Sequence, residues 1–160
     1  MKVIPYNRES AVDYANRWAL GRNPVWYDFE NLGGDCTNFV SQCLFAGSGI
    51  MNFTPETGWY YLSLSRRAPA WTGVEFLYRF LVNNTSVGPF GREVEENQVQ
   101  PGDLVQLGDS EGRFYHSPFI LSTRPVILVA AHSYDALDRP LETYSSARAR
   151  FIHIDGVRVW

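Results

Sequence analysis

Asn31-Leu32-Gly33-Gly34-Asp35-Cys36-Thr37-Asn38-Phe39-Val40-Ser41-Gln42-Cys43-Leu44 is the stretch whose reading decides the fold. Two glycines and an aspartate run straight into an apolar pattern of helical period. Phe39, Val40, Cys43 and Leu44 fall at i, i+1, i+4 and i+5, the spacing of a buried stripe. Cys36 lies on that stripe one turn earlier, with Asp35 as the expected N-cap. A cysteine in a first helical turn stands beside unpaired backbone N–H groups and the positive end of the macrodipole. That setting favours thiolate and brings a cysteine pKa from about 8.5 into the range of roughly 3.5 to 7.5. The competing reading is a small buried thiol that only packs, and this stretch alone leaves both open.

Toward the N-terminus, Asn7 to Leu20 reads as a first helix. Asn7 is its N-cap, Ala11, Ala15 and Trp18 share one face, and Gly21 ends it. An aromatic loop, Arg22 to Asn31, joins it to the Cys36 helix, which Ala46-Gly47-Ser48-Gly49 terminates. Beyond that, Met51 to Trp71 has no clear period but holds Trp59, Tyr60, Tyr61 and Trp71; a long loop in a compact domain is often functional. Thr72 and Glu75 have the spacing of a capping box opening a third helix that ends near Asn83-Asn84. From Pro101-Gly102 the pattern turns to strands. These are Asp103 to Leu107, Arg113 to Leu121 (interrupted by Pro118) and Pro125 to His132, followed by a closing hairpin about Gly156. Helices first and an antiparallel sheet afterwards make an α+β fold, a single domain over residues 1–160.

Composition narrows the function. The 160 residues are 45% apolar, 19% charged and 15% aromatic, a globular composition with enough chain to bury a sizeable core. A formal charge of −3 without a Lys/Arg cluster gives no nucleic-acid footprint. No run approaches the 18 or so apolar residues of a membrane span, and Met1-Lys2-Val3-Ile4-Pro5-Tyr6 lacks the apolar run of a signal peptide. The compartment stays open between the cytoplasm and a piece of a larger exported chain. The two cysteines, seven residues apart on one helix, would have Cα atoms ~10 Å apart, beyond the roughly 7 Å reach of a disulfide. Cys43 is therefore read as a core residue. The Gly33-Gly34 pair falls far short of a phosphate-cradling loop. Cys36, His116, His132 and Asp135 match no short zinc pattern, so no metal or other cofactor is expected.

A nucleophilic cysteine needs a base within hydrogen-bond reach, and the base needs an orienting partner. His116 and His132 fall on consecutive strands, each sharing a face with apolar residues, so both are expected to point at the helical layer and to be cross-strand neighbours. The bland reading of either is a satisfied core histidine; His153 is read that way. Asp135 could orient a base or cap its own turn. The aromatics serve the core or, in part, line a groove for sugar or peptide.

With these residues in hand, the chain resembles the bacterial "putative amidase" domain, related to the NlpC-type and CHAP peptidoglycan hydrolases. The resemblance rests on Tyr6-Asn7-Arg8, Arg22-Asn23-Pro24, Tyr27-Asp28-Phe29, Gly33 to Cys43, Gly58-Trp59-Tyr60-Tyr61, Trp71-Thr72-Gly73, Pro101-Gly102-Asp103, Tyr115-His116-Ser117, Ala131-His132-Ser133 and Arg139-Pro140-Leu141. It implies a papain-like fold with Cys36 as nucleophile, His116 as base and His132 orienting it, a role Asp135 contests. It also implies an oxyanion site from the Cys36 backbone and Tyr27. The expected substrate-side residues are Tyr27, Gly34, Asp35, Trp59, Tyr60 and Trp71. The implied activity is amide hydrolysis in cell-wall peptide through a thioester. The alternatives are acyl transfer from the same thioester, or a non-catalytic glycan- or peptide-binding module.

Overall fold

The computed structural model describes residues 1–160. In chain order the elements are β1 (Lys2–Ile4), α1 (Arg8–Trp18), α2 (Cys36–Ser48), β2 (Tyr61–Ser63), β3 (Arg66–Arg67), α3 (Pro69–Thr72), α4 (Val74–Asn83), β4 (Gly88–Val94), β5 (Leu104–Gly108), β6 (Phe114–His116), β7 (Phe119–Ser122), β8 (Leu128–Ala131), β9 (Ala136–Pro140) and β10 (Arg148–Val159). The order β1-β10-β5-β7-β8-β9 forms one antiparallel sheet, with β4 paired to β10 and β6 to β5. The result is α+β, helices on an antiparallel sheet.

Alternation along the strands sends Leu104, Phe119, Leu121, Ala130, Ile152 and Ile154 into the core shared with α1, α2 and α4. Val105, Leu107, Ile120, Val129 and Phe151 face the other way, into a smaller cluster covered by Val94, Ile127, Leu141 and Tyr144. The helix α2 is the centre of the larger core. Its apolar stripe of Phe39, Val40, Cys43 and Leu44 is fully buried, and so are Thr37, Asn38, Ser41 and Gln42 on its polar side. Burying those polar groups is tolerated because each has a partner. Trp71 Nε1–H donates to Asn38 Oδ1 (2.9 Å), Trp59 Nε1–H to Ser41 Oγ (3.0 Å) and Tyr14 O–H to Gln42 Oε1 (2.5 Å). Gly49 closes the helix in the left-handed region at φ +70°. No helix is long and apolar enough to cross a membrane.

Four local expectations give way to tertiary context. The strand expected over 113–121 splits at Ser117-Pro118 into β6 and β7, and a register shift opposite Leu107/Gly108 turns Phe114 and His116 to different faces. The hairpin expected about Gly156 is instead one continuous strand, β10, with a register shift between Ile154 and Gly156. Gly156 is there because β1 lies across it: a Cβ would meet Val3 Cγ1 at 3.0 Å. No Thr72–Glu75 capping box forms; Gly73 precedes α4, Thr72 Oγ1 accepts from Arg67 and Glu75 pairs with Arg150. Met51 to Trp71 is not a free loop, since it contributes β2, β3, α3 and two buried tryptophans.

Candidate active site around Cys36

The segment before α2 is shaped by Asp35. This carboxylate is fully buried and does not cap its own helix. Oδ1 accepts from the Phe29 N–H (2.8 Å) and from Asn38 Nδ2 (2.9 Å), and Oδ2 accepts from His132 Nδ1 (2.5 Å). The Asp35 N–H donates to Ser133 Oγ (2.8 Å), whose hydroxyl passes on to Glu30 (3.1 Å). Gly33 and Gly34 approach with φ of +89° and +97°, and a Cβ on Gly34 would stand 3.2 Å from Ser133 Oγ. The glycines are thus required by the backbone path itself.

Cys36 opens α2 and is half-buried. Burial pushes its thiol pKa up; the Thr37 hydroxyl and the backbone N–H groups of Ser117 and Thr37 pull the other way, and burial wins. The depressed pKa expected from the helix terminus is therefore not the resting state. The sulfur hydrogen-bonds Thr37 Oγ1 (3.7 Å), which meets Ser117 Oγ (3.2 Å). Gln106 Nε2 donates to Ser117 Oγ (3.2 Å) and to Val74 O (2.9 Å), and its Oε1 accepts from Arg150, itself paired to Glu75 (2.8 Å). Thr37, Ser117, Gln106 and Arg150 form a polar chain from the thiol to the start of α4. Sequence reasoning missed it. The available signal was Gln106, one polar residue inside the apolar run Leu104-Val105-Gln106-Leu107.

His116 is not at the sulfur. It pairs across strands with Leu107, on the face of the smaller cluster, and its ring lies 5.7 Å from the Tyr144 ring. The expectation that it points at the helical layer is corrected: the irregular pairing of β6 puts Ser117, not His116, on the helix side. Desolvation, and less strongly the positive Arg139, lower its pKa to about 4, so the imidazole is neutral at pH 7 and makes no hydrogen bond.

His132 does face the helical layer, stacked on Phe39 with centroids 4.0 Å apart, but it does not meet His116. β7 pairs with β8 through Phe119 and Ala130, and His116 belongs to the separate strand β6, which pairs with β5 instead. The His132 Nδ1 donates to Asp35 and its Nε2 to the Trp18 carbonyl (2.8 Å). Both ring nitrogens are thus engaged, Nε2 also lying 3.2 Å from Arg22 Nη1, and neither is turned toward His116. Asp135 is likewise engaged, held by Arg22 at 2.8 Å. Neither residue orients His116 in this arrangement. His153 bonds Asp103 (2.8 Å), as a structural residue would.

Among the expected substrate contacts, Trp59 and Trp71 are fully buried and cannot wall an open groove. Tyr60 is half-buried, its ring 5.5 Å from that of Phe53. Tyr27 is exposed, its N–H bonded to Tyr61 Oη and its carbonyl to Asn38, so its backbone is fixed while its ring reaches solvent. Asp35 is structural. Cys43 is buried and free, with no disulfide to Cys36. No group of three or more His, Cys, Asp or Glu side chains is placed to hold a metal.

A family profile described as "Putative amidase domain" matches residues 5–154. The chain belongs to that family. It is also 30% identical over 140 residues to the uncharacterized protein YhbB of Bacillus subtilis. That match covers 84% of this chain and 44% of the relative. The chain thus spans less than half the length of the relative it matches. No solved structure matches it. What membership supports is an amidase-like domain; the thiol and its partners are read from the residues.

Proposed function

We propose that this chain is a cysteine-dependent amidase on a papain-like scaffold, cutting an amide bond of bacterial cell-wall peptide through a thioester on Cys36. The observation that carries the reading is the place of Cys36. It stands at the first turn of a helix whose every side is packed, half-open to solvent, with the Ser117 backbone N–H facing its sulfur. In the reaction His116 takes the thiol proton as the sulfur attacks the carbonyl carbon, the C–N bond breaks and the amine leaves with that same proton. Water, deprotonated by the same imidazole, then releases the acid. The Cys36 backbone N–H, with a second donor from the exposed Tyr27, would hold the oxyanion, where losing a donor costs about 2.7–4 kcal/mol of barrier.

His116 is the base in this reading because it is neutral and unpartnered, whereas both nitrogens of His132 are committed. It has to leave the Tyr144 side to reach the sulfur. Its ring gives up no hydrogen bond in leaving, but reaching the sulfur requires rearranging the short, irregular strand β6, in which His116 pairs with Leu107. Catalytic hydrogen bonds commonly tighten only in the substrate complex. Digestion of purified muropeptides tests the reading. The wild type is expected to release new amino termini, Cys36→Ala none, and added amine to leave the product unchanged. Capture of the amine would mark acyl transfer instead, and full release by Cys36→Ala would reject the nucleophile.

A further inference from the structure

A well-formed cavity lies away from Cys36. It is a groove of about 830 Å3 between residues 52–57, α3, the outer face of α4 and residues 84–86. That volume is within the roughly 300–1,000 Å3 of small-molecule sites. We infer that this groove binds a neutral saccharide, a site separate from the thiol and independent of its chemistry.

Three features carry the inference. The first is that the groove is built in advance. Asn52 and Asn84 both donate to the Val87 carbonyl (2.9 and 3.1 Å), stitching the two loop walls to one point. The 52–58 turn is closed by the Asn52–Trp59 backbone pair and by the Gly58 N–H to Thr54 carbonyl bond (2.9 Å). A Cβ on Gly58 would meet the Asn52 carbonyl at 2.3 Å, so that turn has one shape. Preorganised walls lower the entropic cost of holding a ligand.

The second feature is the chemistry of the lining. The Thr54, Thr57, Thr85 and Ser86 hydroxyls and the Glu56 carboxylate line the groove, and none has a protein partner. These are alternating donors and acceptors waiting for the same pattern. Arg79 is the one cation of the lining and pairs with Glu75 (3.5 Å) on its own helix, so there is no positive cluster for a phosphate, and the apolar surface of the groove is interleaved with hydroxyls and side-chain amides rather than continuous. A polyol supplies both donor and acceptor at each hydroxyl, which is what the walls ask for.

The third is an aromatic edge. Phe76 is 52% exposed at the groove's rim and is held in place by Gly73, where a Cβ would collide with its Cδ2 at 2.7 Å. An exposed, positioned ring beside hydroxyl-rich walls offers an apolar platform to the C–H face of a pyranose. Glu56, on the opposite wall, is held at φ +63°, an uncommon conformation for a residue with a side chain and one that tends to persist where a site requires it.

The test is a two-dimensional NMR titration of the Cys36→Ala chain with tetra-N-acetylchitotetraose, cellotetraose and maltotetraose. At least one is expected to shift amides of residues 52–57 and 76–86 while leaving residues 33–37 in place. Phe76→Ala and Glu56→Gln, both on exposed side chains, should each weaken that binding about tenfold. No shift with any of the three sugars, or unchanged affinity in both variants, would overturn the inference. Retained muropeptide turnover in Cys36→Ala would overturn only the amidase reading, so the two failures are distinguishable.

Discussion

The chain contains two Arg–Asp–His clusters, one at each end of α1. At the far end Arg22 meets Asp35 and His132; at the near end Arg8 meets Asp103 and His153. Both aspartates are fully buried, and each follows a glycine with strongly positive φ, Gly34 at +97° and Gly102 at +94°. Both accept backbone N–H groups, Phe29 for Asp35 and Gln100 and Ile154 for Asp103. In construction they are the same clamp. They differ in what is clamped. Asp103 joins α1 to β10 at the start of β5, away from any nucleophile. Asp35 is the residue before Cys36, and its cluster fixes the start of α2. A buried carboxylate–imidazole pair is therefore not a catalytic signature in this fold. Adjacency to the thiol is what gives one clamp a functional consequence.

Replacing either aspartate is the strongest way to break the comparison. Asp35→Ala and Asp103→Ala each leave buried cationic or N–H groups unpaired and should lose about 3–5 kcal/mol in urea unfolding. In the protein that remains folded, only Asp35→Ala should change alkylation of Cys36. Equal effects on the thiol would erase the distinction. His132→Phe, which keeps the stack on Phe39 but gives up both hydrogen bonds, is expected to cost on the order of 2–3 kcal/mol. His153→Ala, at the more open cluster, should cost about 1 kcal/mol by the same measurement.

The pH dependence separates His116 from both clamps. Its pKa falls from 6.5 unfolded to about 4 folded, so the unfolded chain takes up this proton first. The stability it contributes is full above pH 6.5 and is lost as pH falls from there through 4. At 1.36 kcal/mol per unit, the loss is on the order of 3 kcal/mol. His116→Gln should flatten that part of the acid unfolding profile, and an unchanged profile would mean the imidazole is not buried neutral. The smallest expected effects are at the glycines. Gly34→Ala and Gly102→Ala should each cost about 1–2 kcal/mol through the same left-handed strain, with only the first altering turnover.

Much of the fold was legible because it is local. The Asn7 N-cap, the α2 stripe, the Gly49 stop and the apolar strands all follow from period and end signals. What was not legible was long-range. The split of β6 from β7 and the unbroken run of β10 past Gly156 depend on neighbouring strands. The site divided the same way. Cys36 was readable from its own surroundings, and Cys43 from its place on the stripe. The faces of His116 and His132 depended on one irregular pairing in β6 that turns His116 away. The tryptophans read as walls are core because their N–H groups satisfy the polar side of α2. That is a demand made by Asn38 and Ser41, not by anything near Trp59 or Trp71 in the chain.

The most direct test of the central claim is the pH dependence of iodoacetamide alkylation at Cys36, followed by peptide mass spectrometry in the wild type, His116→Ala and His153→Ala. The account predicts a reactive fraction at neutral pH in the wild type and in His153→Ala, where alkylation traps the thiolate formed whenever His116 leaves the Tyr144 side and takes the proton. In His116→Ala it predicts only the late, high-pH labelling of a thiol raised by burial. A single ordinary thiol titration, identical in all three proteins, would contradict it.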